Sequence, residues 1–233
     1  MRPLTLAIQI HIMQIEARAV SVERGGRKIL ANLSFALAAG EALLVTGPNG
    51  AGKSTLLRAL AGLLPLAAGE IAIRDAGLSS RELERATLCH YVGHADALKA
   101  SLTVAENLAF WSALLTNADW GTEIAHGGAA AMPQAEALAR LGLGHVADLP
   151  AAYLSAGQKR RAALARLLTV SRPLWLLDEP LTALDAAAQA GLTALIAAHL
   201  AAGGMLIAAT HAPLAVTARQ LELGRLSESG GAQ

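Results

Sequence analysis

The apolar positions of this chain change period several times, and the changes mark out alternating strands and helices. Residues 15–22 alternate in part, Gly25-Gly26 marks a turn, and an apolar pattern resumes over 29–37. This predicts an antiparallel edge sheet. The uninterrupted run Ala42-Leu43-Leu44-Val45 predicts a buried strand, and a helix opens at Thr55 and ends with Gly62 and Pro65. A short strand follows at 69–73. Helices starting at 102–108 and at 134–141 flank an uneven segment, 117–133, whose Gly121, Gly127, Gly128 and Pro133 predict a surface loop. Beyond Tyr153 the alternation returns, with a buried strand at 174–177, an Ala/Leu helix at 187–201 and a strand at 205–209. The polar, Gly-containing tail 227–233 predicts a frayed end.

Residues 186–218 contain no Asp, Glu, Lys or Arg, and that length would span a bilayer. Gly203-Gly204 divides it into helix and strand, which fits an α/β repeat and predicts no transmembrane span. Near the N-terminus, Gln9, His11 and Gln14 interrupt the apolar run that a signal peptide would need. Residues 1–12 have two readings: a genuine extension, or a start codon assigned too early, with Met13 the alternative. The 233 residues suffice for one large domain. Hydrophobic residues make up 54% and aromatics 3%, which favours helices packed through small side chains. A net charge of +1 without a basic, aromatic-laced stripe argues against direct nucleic-acid binding. Cys89 is the sole cysteine, so no internal disulfide forms.

Candidate chemistry begins after the strand at 42–45, with Gly47-Pro48-Asn49-Gly50-Ala51-Gly52-Lys53-Ser54-Thr55. Its spacing, G-x-x-x-x-G-K-[ST], is that of a phosphate-binding loop. Glycines let backbone N–H groups approach phosphate oxygens, Lys53 supplies positive charge, and Ser54 has a hydroxyl suited to Mg²⁺. The helix N-terminus adds a favourable dipole. A nucleoside triphosphate is the expected ligand.

Downstream, Leu174-Trp175-Leu176-Leu177 feeds directly into Asp178-Glu179. A buried parallel strand delivers such acids at its C-terminal end, beside the phosphate loop of a neighbouring strand. Asp178 is the expected Mg²⁺ residue. Glu179 would polarise the attacking water.

Then comes Leu154-Ser155-Ala156-Gly157-Gln158 with a basic helix after it. This resembles the signature of ABC-transporter ATPases, although Ala156 stands where that family usually has Gly. The helix start alone could bind a phosphate oxygen through Ser155 and Gly157. Ala183-Leu184-Asp185 resembles the family's D-loop; Asp185 is also a good N-cap for the next helix. Thr210-His211, placed after the last strand of the pattern, resembles the switch histidine that meets the γ phosphate. His94 falls where the family usually has a Gln that reaches Mg²⁺ and water. It is either a partial substitute, since imidazole donates or accepts one hydrogen bond, or a structural His. Near the position of the family's adenine-stacking aromatic stands Arg24, which either lays its guanidinium on the base or is solvated.

The resemblance implies an α/β, P-loop NTPase fold with a mainly parallel core sheet, an antiparallel β-subdomain and an inserted helical signature subdomain at about 94–165. The single domain would cover 13–225, and 226–233 a polar tail. It implies ATP and Mg²⁺ as cofactors, and a homodimer in which Ser155, Gly157 and Gln158 of each copy complete the other's site. The membrane subunits would dock near residues 94–115. Gly93-His94, Leu102-Thr103-Val104-Ala105-Glu106-Asn107-Leu108, the Ala-containing signature and Thr210-His211-Ala212-Pro213-Leu214 together are similar to the haem exporter ATPase of bacterial cytochrome c maturation. Membership would place the chain on the cytoplasmic face of the inner membrane, driving release of haem-loaded chaperone. The alternatives are an ATPase for another exported substrate or a soluble ABC protein, for which tandem cassettes, a coiled-coil insertion or a basic patch would be expected. His90 and His145, like His94, are expected at the surface or as switch residues rather than as haem ligands.

Overall fold

The computed structural model describes residues 13–75, 85–116 and 128–224; the expectations for 1–12, most of the 117–133 loop and the tail fall outside these. Two long strands, β1 (Met13–Arg24) and β2 (Arg27–Ala38), are followed by β3 (Ala42–Thr46), helix α1 (Lys53–Leu60) and β4 (Ala68–Asp75). A one-turn helix α2 (Arg85–Leu88) leads into β5 (Cys89–Val92). Helices α3 (Val104–Thr116), α4 (Gln134–Arg140) and α5 (Ala156–Thr169) come next, then β6 (Leu174–Asp178), α6 (Ala186–Ala201), β7 (Met205–Ala209) and β8 (Arg219–Glu222).

The strands form two sheets. A five-stranded sheet has the order β5-β6-β7-β3-β8, every described pairing parallel. A three-stranded antiparallel sheet has the order β2-β1-β4. The N-terminal strands form the antiparallel sheet that the sequence pattern predicts, with β4 as its third strand. Strand β7 is not the last: β8 pairs with β3 on its far side.

Burial on both faces explains the continuous apolar runs of the core strands. Along β6, Trp175 and Leu177 join one hydrophobic cluster with Val104, Leu138 and Leu164 of the helical layer. Leu174 and Leu176 point the other way, into a cluster with Leu56 and Leu60 of α1 and Ile15 and Leu37 of the antiparallel sheet. Met205, Ile207 and Ala209 of β7 follow the second set, and Leu206 and Ala208 the first. One strand thus serves two cores through its period of two.

The helices start where side chains can satisfy free N–H groups. Thr103 and Glu106 exchange reciprocal bonds at the head of α3, with Glu106 Oε2 accepting from Thr103 N at 2.8 Å and Thr103 Oγ1 from Glu106 N at 3.1 Å. Helix α1 begins at Lys53, two residues earlier than the apolar pattern predicts, because Gly52 takes the left-handed conformation at φ 97° and turns the chain directly into it.

Candidate active site

The C-terminal ends of β3, β5, β6 and β7 open at one end of the core sheet, where an open α/β sheet presents its ligand crevice. A cavity of about 590 Å³ lies there. Asn49, Gly50, Gly52, Lys53, Ser54 and Thr55 line it from the loop after β3, with Asp178, Glu179 and Thr182 after β6. His211 enters after β7, His94 after β5, and Arg24 and Ile29 come from the antiparallel sheet. Gly47, Pro48 and Ala51 of the same loop are not among the lining residues. A Cβ on Gly47 would stand 2.3 Å from the Leu223 carbonyl oxygen, so only glycine allows the loop to leave β3 beneath the end of β8.

Lys53 is folded into this loop. Its ammonium donates to the carbonyls of Gly47 and Pro48 at 2.8 and 3.2 Å, and lies 3.0 Å from His211 Nε2. The same imidazole nitrogen is 3.1 Å from Asn49 Oδ1 and 3.7 Å from Glu179 Oε1. It stands between a donor and two acceptors, so its tautomer decides which it engages. The His211 N–H also donates to Glu179 Oε2 at 3.4 Å, which ties the ends of β6 and β7 together.

Asp178 is 3% exposed, and its Oδ2 atom has no hydrogen-bond partner. An unpartnered, buried carboxylate oxygen on a residue that lines the cavity suits a hard cation that takes oxygen ligands. Among the described residues no group of three His, Cys, Asp or Glu could hold a metal by itself. The unpartnered Asp178 oxygen and the Ser54 hydroxyl, both on residues that line the cavity, would suit Mg²⁺ completed by phosphate oxygens.

Glu179 has a left-handed backbone, φ 49°, rare for a residue with a side chain. Its N–H donates to Ala209 O at 2.8 Å, and its carbonyl receives Arg160 Nη2 at 2.9 Å. Arg160 also reaches the Asp178 carbonyl at 2.7 Å, the Gly93 carbonyl at 2.8 Å and Asp96 Oδ1 at 3.3 Å. In the sequence Arg160 is one of three consecutive basic residues in the helix after the signature. Its helical spacing to the apolar positions 163, 164 and 167 is the signal that would have marked it as inward-facing.

Ser155, Gly157, Gln158 and Asp185 lie outside the cavity lining. Ser155 Oγ accepts from Gln158 N at 3.2 Å while Gln158 Oε1 accepts from Ser155 N at 2.9 Å, a complete capping box. Ala156 is the first helical residue of α5, a position where a methyl fits. Asp185 caps α6 by accepting from Ala188 N at 2.8 Å. His90 departs from its expected surface position. It is buried, with Nε2 2.7 Å from Val170 O, and desolvation pushes its pKa down to about 3. His145 is exposed, as expected.

The ABC transporter family model matches residues 30–182, which include the phosphate loop, the signature and the acids. The chain belongs to the ABC transporter family. Within it, relatives named cytochrome c biogenesis ATP-binding export protein CcmA match along nearly their whole length. That of Rhodopseudomonas palustris is 54% identical over 91% of this chain and 98% of its own, and that of Bradyrhizobium diazoefficiens 50% identical with the same coverage. The chain is thus an ATP-binding ABC ATPase of the cytochrome c biogenesis export family. An ABC transporter ATP-binding protein from Pyrococcus furiosus shares the fold, with a TM-score of 0.70 at 20% identity over 90% of this chain and 97% of that one. Among the described residues of this ABC ATPase, no helix is long and apolar enough to cross a membrane.

Proposed function

We propose that this chain couples ATP binding and hydrolysis to the release of haem or haem-loaded chaperone, acting as a peripheral subunit on the cytoplasmic face of the bacterial inner membrane. Integral membrane subunits would carry the transmembrane path. The observation that supports a shared site most directly is a separation. Residues of the phosphate loop, Asp178, Glu179 and His211 line one cavity, whereas the signature residues Ser155, Gly157 and Gln158 are not part of that lining. One copy holds half of each function, and a homodimer arranged head to tail would join them.

In that dimer Lys53 and the loop N–H groups bind the β and γ phosphates, and the partner's Ser155 hydroxyl and Gly157 N–H close over the γ phosphate. Asp178 and Ser54 would hold Mg²⁺, which neutralises phosphate charge. Glu179 accepts a proton from the attacking water, and His211 and His94 orient the γ phosphate and that water. Arg24 and Ile29 offer the base a guanidinium plane and an apolar edge.

Co-purification from solubilised membranes tests the assignment. Recovery with haem-handling membrane subunits supports it. Recovery only in the soluble fraction without membrane partners rejects the transport role.

A further inference from the structure

We propose that Arg160 is a positioning residue for ATP hydrolysis: from the signature helix it clamps the main chain of Asp178 and Glu179 to that of Gly93, so that Glu179 and His94 are presented to the same phosphate. The inference rests on the reading of Glu179 as the water-activating group.

A guanidinium only 3% exposed is costly unless its donors are engaged. The two terminal nitrogens of Arg160 meet that need mostly with main-chain oxygens, from Asp178 and Glu179 at the end of β6 and Gly93 just after β5, while its Nε has no partner among the described residues. Asp96, in the segment that carries His94, supplies the counter-charge. The planar fork of Arg places two donor nitrogens in fixed directions, toward different strand ends; the point charge of Lys cannot reproduce this.

What the clamp holds is a strained peptide. A left-handed backbone at Glu, φ 49°, is disfavoured relative to ordinary backbone and persists only where its surroundings over-determine it. Ala209 O fixes the N–H side of Glu179 and Arg160 fixes the carbonyl side. Without the arginine the peptide is free to relax toward a right-handed conformation, which swings the carboxylate away from His211 and the cavity. Arg160 also lies on the first turns of α5, whose N-cap is Ser155. A push on the signature by a partner copy therefore arrives at the hydrolytic carboxylate of the same chain through one side chain.

The test uses the full chain, alone for ATP titration and assembled with its co-purified membrane subunits for turnover. Arg160→Gln should lower kcat by about tenfold or more while the Kd for ATP moves by less than about threefold. Arg160→Lys should fall between it and wild type. In a Glu179→Gln background, Arg160→Gln should cause no further loss of residual turnover, because both act on one step. Wild-type kcat in Arg160→Gln, a loss of ATP affinity matching the loss of kcat, or a full additional loss in the double variant would each overturn the clamp. If Arg160→Gln is not recovered folded, wild-type kcat in Arg160→Lys overturns it. Wild-type turnover by Glu179→Gln would instead remove the reading of Glu179 itself.

Discussion

Gly157 packs directly beneath Ala183: a Cβ on the glycine would stand 2.8 Å from the Ala183 carbonyl oxygen. Ala183 is itself left-handed, at φ 64°, so its carbonyl is not free to turn away. The signature and the turn before Asp185 thus fit together within one chain. Gly157→Ala should displace that turn and cost about 1–3 kcal/mol of stability, the usual range for overpacking. Thermal unfolding and ATP turnover measured together should both decline, and an unchanged turnover would separate this contact from the reaction.

Glu179→Gln keeps the shape and loses the carboxylate. It should retain ATP affinity and lose about 100-fold or more in kcat, as expected for a general base. ATP should then accumulate the dimer on size exclusion. A monomer under conditions where wild type turns over would contradict the shared site.

Lys53→Ala removes the ammonium that lies among Gly47 O, Pro48 O and His211. Charge-assisted bonds of this kind contribute about 1.5–3 kcal/mol, so ATP affinity should fall by about 10-fold to 100-fold in titration calorimetry. Unchanged affinity would remove Lys53 from the phosphate site.

Two histidines set an acid limit on folding. His90 is pushed down to about 3, and His199 to about 4, in both cases chiefly by burial. His199 stacks on Trp175 at 3.9 Å, accepts from Ala129 N at Nδ1 and lies with Nε2 3.3 Å from Met205 O. Both are neutral when folded, whereas the unfolded chain protonates them near the usual value of about 6.5. Their contribution is complete above that pH and is lost as pH falls toward 4 and then 3. Each should reduce unfolding free energy by about 1.4 kcal/mol per pH unit in that window. Urea midpoints between pH 7 and pH 5 should fall accordingly, and His90→Gln should flatten the slope. An equal slope in that variant would exclude His90 as a contributor.

The elements legible in the sequence were those buried on both faces or marked by glycine. Strands β3, β6 and β7 stood out as apolar runs, and the phosphate loop by its glycines and lysine. The edge strands β5 and β8 did not: each has four residues, and His90 in one and Arg219, Gln220 and Glu222 in the other break the apolar signal. Motif spacing picked out Lys53, Asp178, Glu179 and His211, which the fold brings to one cavity. His90 is buried against the expectation from its polarity because the Val170 carbonyl meets its ring nitrogen. Such a partner lies 80 residues away in the chain and leaves no local trace.

The left-handed backbone at Glu179 bears on how this sequence can be engineered. A stability screen would favour glycine or asparagine there, since both accept that conformation more readily. Either change would erase the carboxylate, so selection for a hardier protein and selection for a working one pull position 179 in opposite directions.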